Sequence, residues 1–122
     1  LSRGSKKSTF VENYKEALTV LKKNITSLNY EKESFILEKD IIKNLNFKDF
    51  KEKFNTIFAD TPYKETNVIL ILLKIWNSEI LDDQGILIIH RQKNDMDSFP
   101  EKFKIIEEKI YGISRVIFGK FN

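Results

Sequence analysis

The chain has 122 residues, 41% of them hydrophobic, which suits one small globular core and argues against a disordered tail. It has no cysteine, so disulfide stapling, thiolate catalysis and cysteine-ligated zinc are excluded, and a reducing compartment fits. A net charge of +3, from 21 basic and 18 acidic residues, permits a nucleic-acid partner but is no polybasic tail.

Most lysines alternate with glutamates, as on solvated helix faces, and only Arg3, Lys6 and Lys7 cluster without an acid among them. The longest strongly apolar run, Val68 to Leu73, is far shorter than the roughly 20 residues that cross a bilayer, and nothing resembles a signal peptide. A cytoplasmic protein without membrane contact is expected. The chain opens on Leu1 and its only methionine is Met96, so it reads as a fragment, with residues 1–122 forming a single domain.

Thr9, Phe10 and Val11 predict a short buried strand ending at Glu12. Tyr14, Ala17, Leu18, Leu21, Ile25 and Leu28 then recur at helical spacing, with charged residues on the other faces, and predict an amphipathic helix. Phe35 to Leu37 reads as a second strand before Glu38 to Asp40. Asn44 to Lys53 is a polar connection with room for a short helix. Thr56 to Ala59 makes a third strand, cut off by Asp60 and Pro62 because proline donates no ladder hydrogen bond.

Val68 to Leu81 is too long for one strand and predicts a largely buried helix with Trp76 in the core, stopped by Asp82, Asp83 and Gly85. Ile86 to Ile89 is a fourth strand and His90 to Pro100 a loop. Phe103 to Ile110 with Ser114 to Phe118 predicts a terminal antiparallel pair around Gly112. Alternating strands and helices closed by such a pair imply an α/β fold on a mostly parallel sheet.

An acid ending a strand at Glu12, an aspartate after the next strand at Asp40, and Asp60-Thr61-Pro62-Tyr63 after the third together resemble a Rossmann-like methyltransferase. Leu1-Ser2-Arg3-Gly4, Thr9-Phe10-Val11-Glu12, Leu21-Lys22-Lys23-Asn24 and Tyr111-Gly112 with Ser114 are more closely similar to the bacterial family that methylates guanine N2 in small-subunit ribosomal RNA. The resemblance covers nearly the whole chain. It implies S-adenosylmethionine as methyl donor, ribosomal RNA or the small ribosomal subunit as partner, a monomer, and no metal.

By that resemblance Glu12 accepts hydrogen bonds from the cofactor ribose, as acids after the second strand of such sheets commonly do. The competing reading is an acid favoured at a helix N-terminus by the macrodipole. Asp40 would lie near the adenine amine of the cofactor, against a competing role as an N-cap. An exocyclic base amine is a poor nucleophile, because its lone pair is delocalised, so the site must hold it in line while accepting its proton. Asp60 and the Thr61 carbonyl are the implied acceptors, Pro62 biases Thr61 toward extended backbone, and Tyr63 is the implied stacking platform for the target base. The family usually has proline where this chain has Thr61. As an isolated string, Asp60 to Tyr63 also reads as a strand-ending turn.

His90 and Arg91 fall where the family more often places an acid. They are assigned no catalytic role, His90 as a polar strand terminus and Arg91 as a contact to phosphate or solvent. The family's glycine-rich turn after its first strand has no counterpart, since the four glycines form no G-x-G. The chain therefore reads as beginning one helix late, lacking a first strand between those ending at Glu12 and Ala59. That leaves two open apolar strand edges and predicts weak or no cofactor binding, and no activity, by this segment alone. Adenine-N6 methyltransferases and a non-catalytic module of the same fold are the alternatives, and a nicotinamide oxidoreductase leaves Asp60 to Tyr63 unexplained.

Overall fold

The computed structural model describes residue 1 and residues 3–40, 46–60, 68–95 and 97–122. They form two compact units, Leu1–Leu45 and Asn46–Asn122.

In the first unit β1 (Ser8–Val11) leads into α1 (Lys15–Ser27) and then β2 (Ser34–Leu37), which pairs with β1 in parallel, Val11 opposite Leu37. The apolar stripe of α1 buries Leu18. The helix ends on Asn29, whose φ of 59° is left-handed, a conformation asparagine tolerates better than most side chains. The N–H of Tyr30 donates to Ile25 O (3.0 Å) and that of Asn29 to Thr26 O (3.1 Å), which satisfies carbonyls the helix would otherwise leave unpaired.

In the second unit a single 3-10 turn (Phe47–Asp49) precedes β3 (Phe54–Asp60), α2 (Val68–Ser78), β4 (Leu81–Gln92), β5 (Phe103–Tyr111) and β6 (Ser114–Phe121). The strand order is β3-β4-β6-β5, parallel between β3 and β4 and antiparallel in both ladders of β6. Val68, Ile71, Leu72 and Ile75 recur at helical spacing and are the buried stripe of α2. On β4 the buried positions alternate, Gly85, Leu87, Ile89 and Arg91 sharing one face, so β4 is apolar on one side down to its last inward residue. Ile57 and Ala59 lie beside Leu87 and Ile89, and Gly119 and Ile117 stand opposite them on β6.

The expected α/β class and terminal antiparallel pair are both present. Two boundaries differ. The fourth strand begins at Leu81, where the sequence reads as helix, because Glu79 adopts a left-handed φ of 55° and turns the chain out of α2 after Ser78. Asp82 extends β4 and accepts a hydrogen bond from Asn55 Nδ2 at 3.0 Å, while the Phe54 N–H donates to Ile80 O at 2.7 Å. His90 and Arg91 lie within β4 and not in a loop. Trp76 is half-buried, its ring 5.2 Å from that of Phe121 with the Lys102 ammonium 5.0 Å above it.

Among the described residues β1 pairs only with β2 and β3 only with β4. No described helix is long and apolar enough to cross a membrane.

Candidate active site

The carboxyl ends of β1 and β2 bring Glu12, Asn13 and Asp40 together. The Glu12 N–H continues the β1–β2 ladder to Leu37 O at 3.1 Å, which holds the residue at the strand tip. Its Oε1 accepts the backbone N–H groups of Asn13 (3.2 Å) and Tyr14 (3.0 Å) just before α1. Both of these bonds use the same oxygen and lie ahead of the first turn of α1, whose acid is Glu16. Asn13 Nδ2 donates to Asp40 Oδ2 at 3.2 Å and ties the two predicted cofactor residues into one cluster. Asn13 carries no sequence signal of its own, since an asparagine after a strand reads as a turn residue.

Asp60 is the last residue of β3, paired in register with His90 of β4. Adjacent parallel strands place side chains at paired positions on the same face, and His90 Nδ1 lies 2.9 Å from Asp60 Oδ1. The carboxylate is 59% exposed and the imidazole 22% exposed. A well-oriented acceptor thus stands at the carboxyl end of a parallel strand, where open α/β sheets bind ligands. Thr61, Pro62 and Tyr63 lie outside the described residues.

Arg91 does not reach solvent or phosphate as expected. It points to the opposite face from His90, is 2% exposed, and its Nε lies 3.0 Å from Asp97 Oδ2. Asp95 Oδ2 is 3.5 Å from Arg91 Nη2 and also accepts the Gln92 N–H at 2.8 Å. Arg115, opposite Arg91 on β6, places Nη2 3.4 Å from the same Asp97 oxygen and Nε 3.4 Å from Glu108 Oε1. A buried guanidinium persists only with such partners, because its desolvation costs several kcal/mol. The cluster fastens the segment after β4 to the antiparallel pair.

The chain is similar to YlbH of Bacillus subtilis (strain 168), a candidate rRNA methyltransferase, with 25% identity over 122 residues; the match covers 98% of this chain and 66% of that relative's length. Among solved structures it is similar to a conserved hypothetical protein of Streptococcus pyogenes, with a TM-score of 0.86 and 22% identity over 97% of this chain and 73% of that one. A candidate methylase of Haemophilus influenzae matches with a TM-score of 0.79 and 22% identity over 99% of this chain and 76% of that one. These likenesses show a shared fold, the α/β sheet that the sequence predicts. The family described as Conserved hypothetical protein 95 matches residues 1–120, and the chain belongs to it.

Proposed function

We propose that this chain is the C-terminal portion of a single catalytic domain that transfers a methyl group from S-adenosylmethionine to the exocyclic N2 amine of a guanine in small-subunit ribosomal RNA. The observation that carries the reading is Asp60, an exposed carboxylate at the tip of a parallel strand, held by His90 and followed in sequence by Thr61-Pro62-Tyr63. Similarity to a candidate rRNA methyltransferase supports RNA as the substrate class.

The residues at the tips of β1 and β2 fit the cofactor. Glu12 spends Oε1 on the chain and offers its second oxygen to ribose hydroxyls, and Asp40, oriented by Asn13, is the acceptor assigned to the adenine amine. Bound S-adenosylmethionine supplies an activated methyl group. Asp60 and the Thr61 carbonyl would accept hydrogen bonds from the guanine amine and so orient its nitrogen for transfer. Transfer exchanges the methyl–sulfur bond of the donor for a methyl–nitrogen bond, leaving S-adenosylhomocysteine, and Asp60 would be the base that takes the proton the amine gives up. Tyr63 stacks on the extruded base. The protein acts in the cytoplasm as a monomer.

Transfer of labelled methyl from S-adenosylmethionine to unmodified small ribosomal subunits, measured against duplex DNA, tests this function. Labelling of subunits by the whole catalytic domain, lost with Asp60→Ala, is expected. Equal labelling of DNA, or undiminished labelling by Asp60→Ala, would contradict it.

A further inference from the structure

We infer that His90 is a positioning residue for Asp60, fixing through its Nδ1–H which carboxylate oxygen meets the substrate amine; this rests on the proposed methyl transfer at Asp60. The two side chains share a face at paired positions of β3 and β4 and meet at 2.9 Å. A carboxylate offers only acceptors, so the hydrogen between them sits on the imidazole, and the neutral ring is the tautomer protonated at Nδ1.

The geometry decides what the contact does. An exposed aspartate at a strand tip rotates freely about its last torsion, which is broad and roughly two-fold, and either oxygen then faces outward. The bond to Oδ1 removes that freedom and leaves Oδ2 as the oxygen presented to a donor. The imidazole is itself held: it stands on the continuous strand β4, only 22% exposed, with Asp60 beside it on β3 and Val116 opposite it on β6. The next residue, Arg91, is anchored on the other face by Asp95 and Asp97, which fixes the backbone from which His90 projects. A base oriented before substrate arrives accelerates turnover without tightening cofactor binding.

His90 is the chain's single histidine, so its ring nitrogens give one set of NMR signals that reads the contact without any assay of activity. In the full chain the neutral ring is expected to carry its hydrogen on Nδ1, and Asp60→Asn, whose amide can donate to that nitrogen, is expected to move it to Nε2. In methyl transfer, His90→Ala is expected to lower kcat about tenfold with the KM for S-adenosylmethionine unchanged. His90→Asn, which restores a donor near the Nδ1 position, is expected to recover most of the loss. A neutral ring protonated on Nε2 in the unsubstituted chain, or wild-type kcat in His90→Ala, overturns the positioning role. No transfer by the unsubstituted whole catalytic domain would instead refute the methyltransferase reading, and the positioning role with it.

Discussion

Arg91 and Arg115 face each other across β4 and β6 as a pair of like charges, and Asp97 Oδ2 lies within 3.0 Å of the first and 3.4 Å of the second. Like charges directly opposite in a ladder destabilise it unless a shared counter-charge intervenes. One carboxylate therefore lets two guanidinium groups occupy neighbouring positions at the end of an otherwise apolar face.

Asp97→Ala should be among the most destabilising single changes in the second unit. The side chains of Arg91 and Asp97 are 3% and 6% exposed, so removing the carboxylate takes the nearer counter-charge from a buried cation and leaves Asp95 at 3.5 Å, at a cost of about 2–3 kcal/mol. Urea denaturation measures it. The Lys22–Glu38 pair of the first unit gives the contrast: both side chains are more than half exposed, and Glu38→Gln should cost less than about 1 kcal/mol.

Gly119 is required by the Phe103 ring. A Cβ at this position would lie 2.2 Å from Phe103 Cζ and 2.8 Å from the Lys104 carbonyl oxygen. Phe103 is buried, packed between the rings of Phe99 and Phe121, and has little room to retreat. Gly119→Ala should cost about 1–3 kcal/mol by overpacking, read as a lower thermal midpoint, and adding Phe103→Leu should recover part of it.

Glu12 serves the fold and the proposed cofactor site at once, and two substitutions separate these roles. Glu12→Gln keeps an oxygen for the Asn13 and Tyr14 N–H groups and should hold stability near wild type, whereas Glu12→Ala should lose about 1 kcal/mol. Calorimetric titration of the whole catalytic domain with S-adenosylmethionine should show weaker binding for both, because each removes the charged acceptor proposed for the ribose.

Much of the architecture was readable locally. The periodicity of α1, the apolar run of β3 and the Gly112 turn between β5 and β6 are short-range patterns, and all three fall where the sequence places them. Asp82 and Asp83 misled because acids after a helical stretch read as a stop, whereas here they extend β4 and Asp82 is met by Asn55. The Asp60–His90 contact and the Arg91–Asp97–Arg115 cluster were invisible for a different reason. Each depends on the register between strands distant in sequence, and a histidine or arginine at a strand end carries the same local signal whether it faces solvent, a carboxylate or the core.

Whether Asp60 receives the N2 amine of a guanine is decided by digesting small-subunit ribosomal RNA to nucleosides after reaction with S-adenosylmethionine and identifying the methylated product. N2-methylguanosine, formed by the whole catalytic domain and lost with Asp60→Ala, is expected. N6-methyladenosine in its place, or N2-methylguanosine that persists in Asp60→Ala, would contradict it.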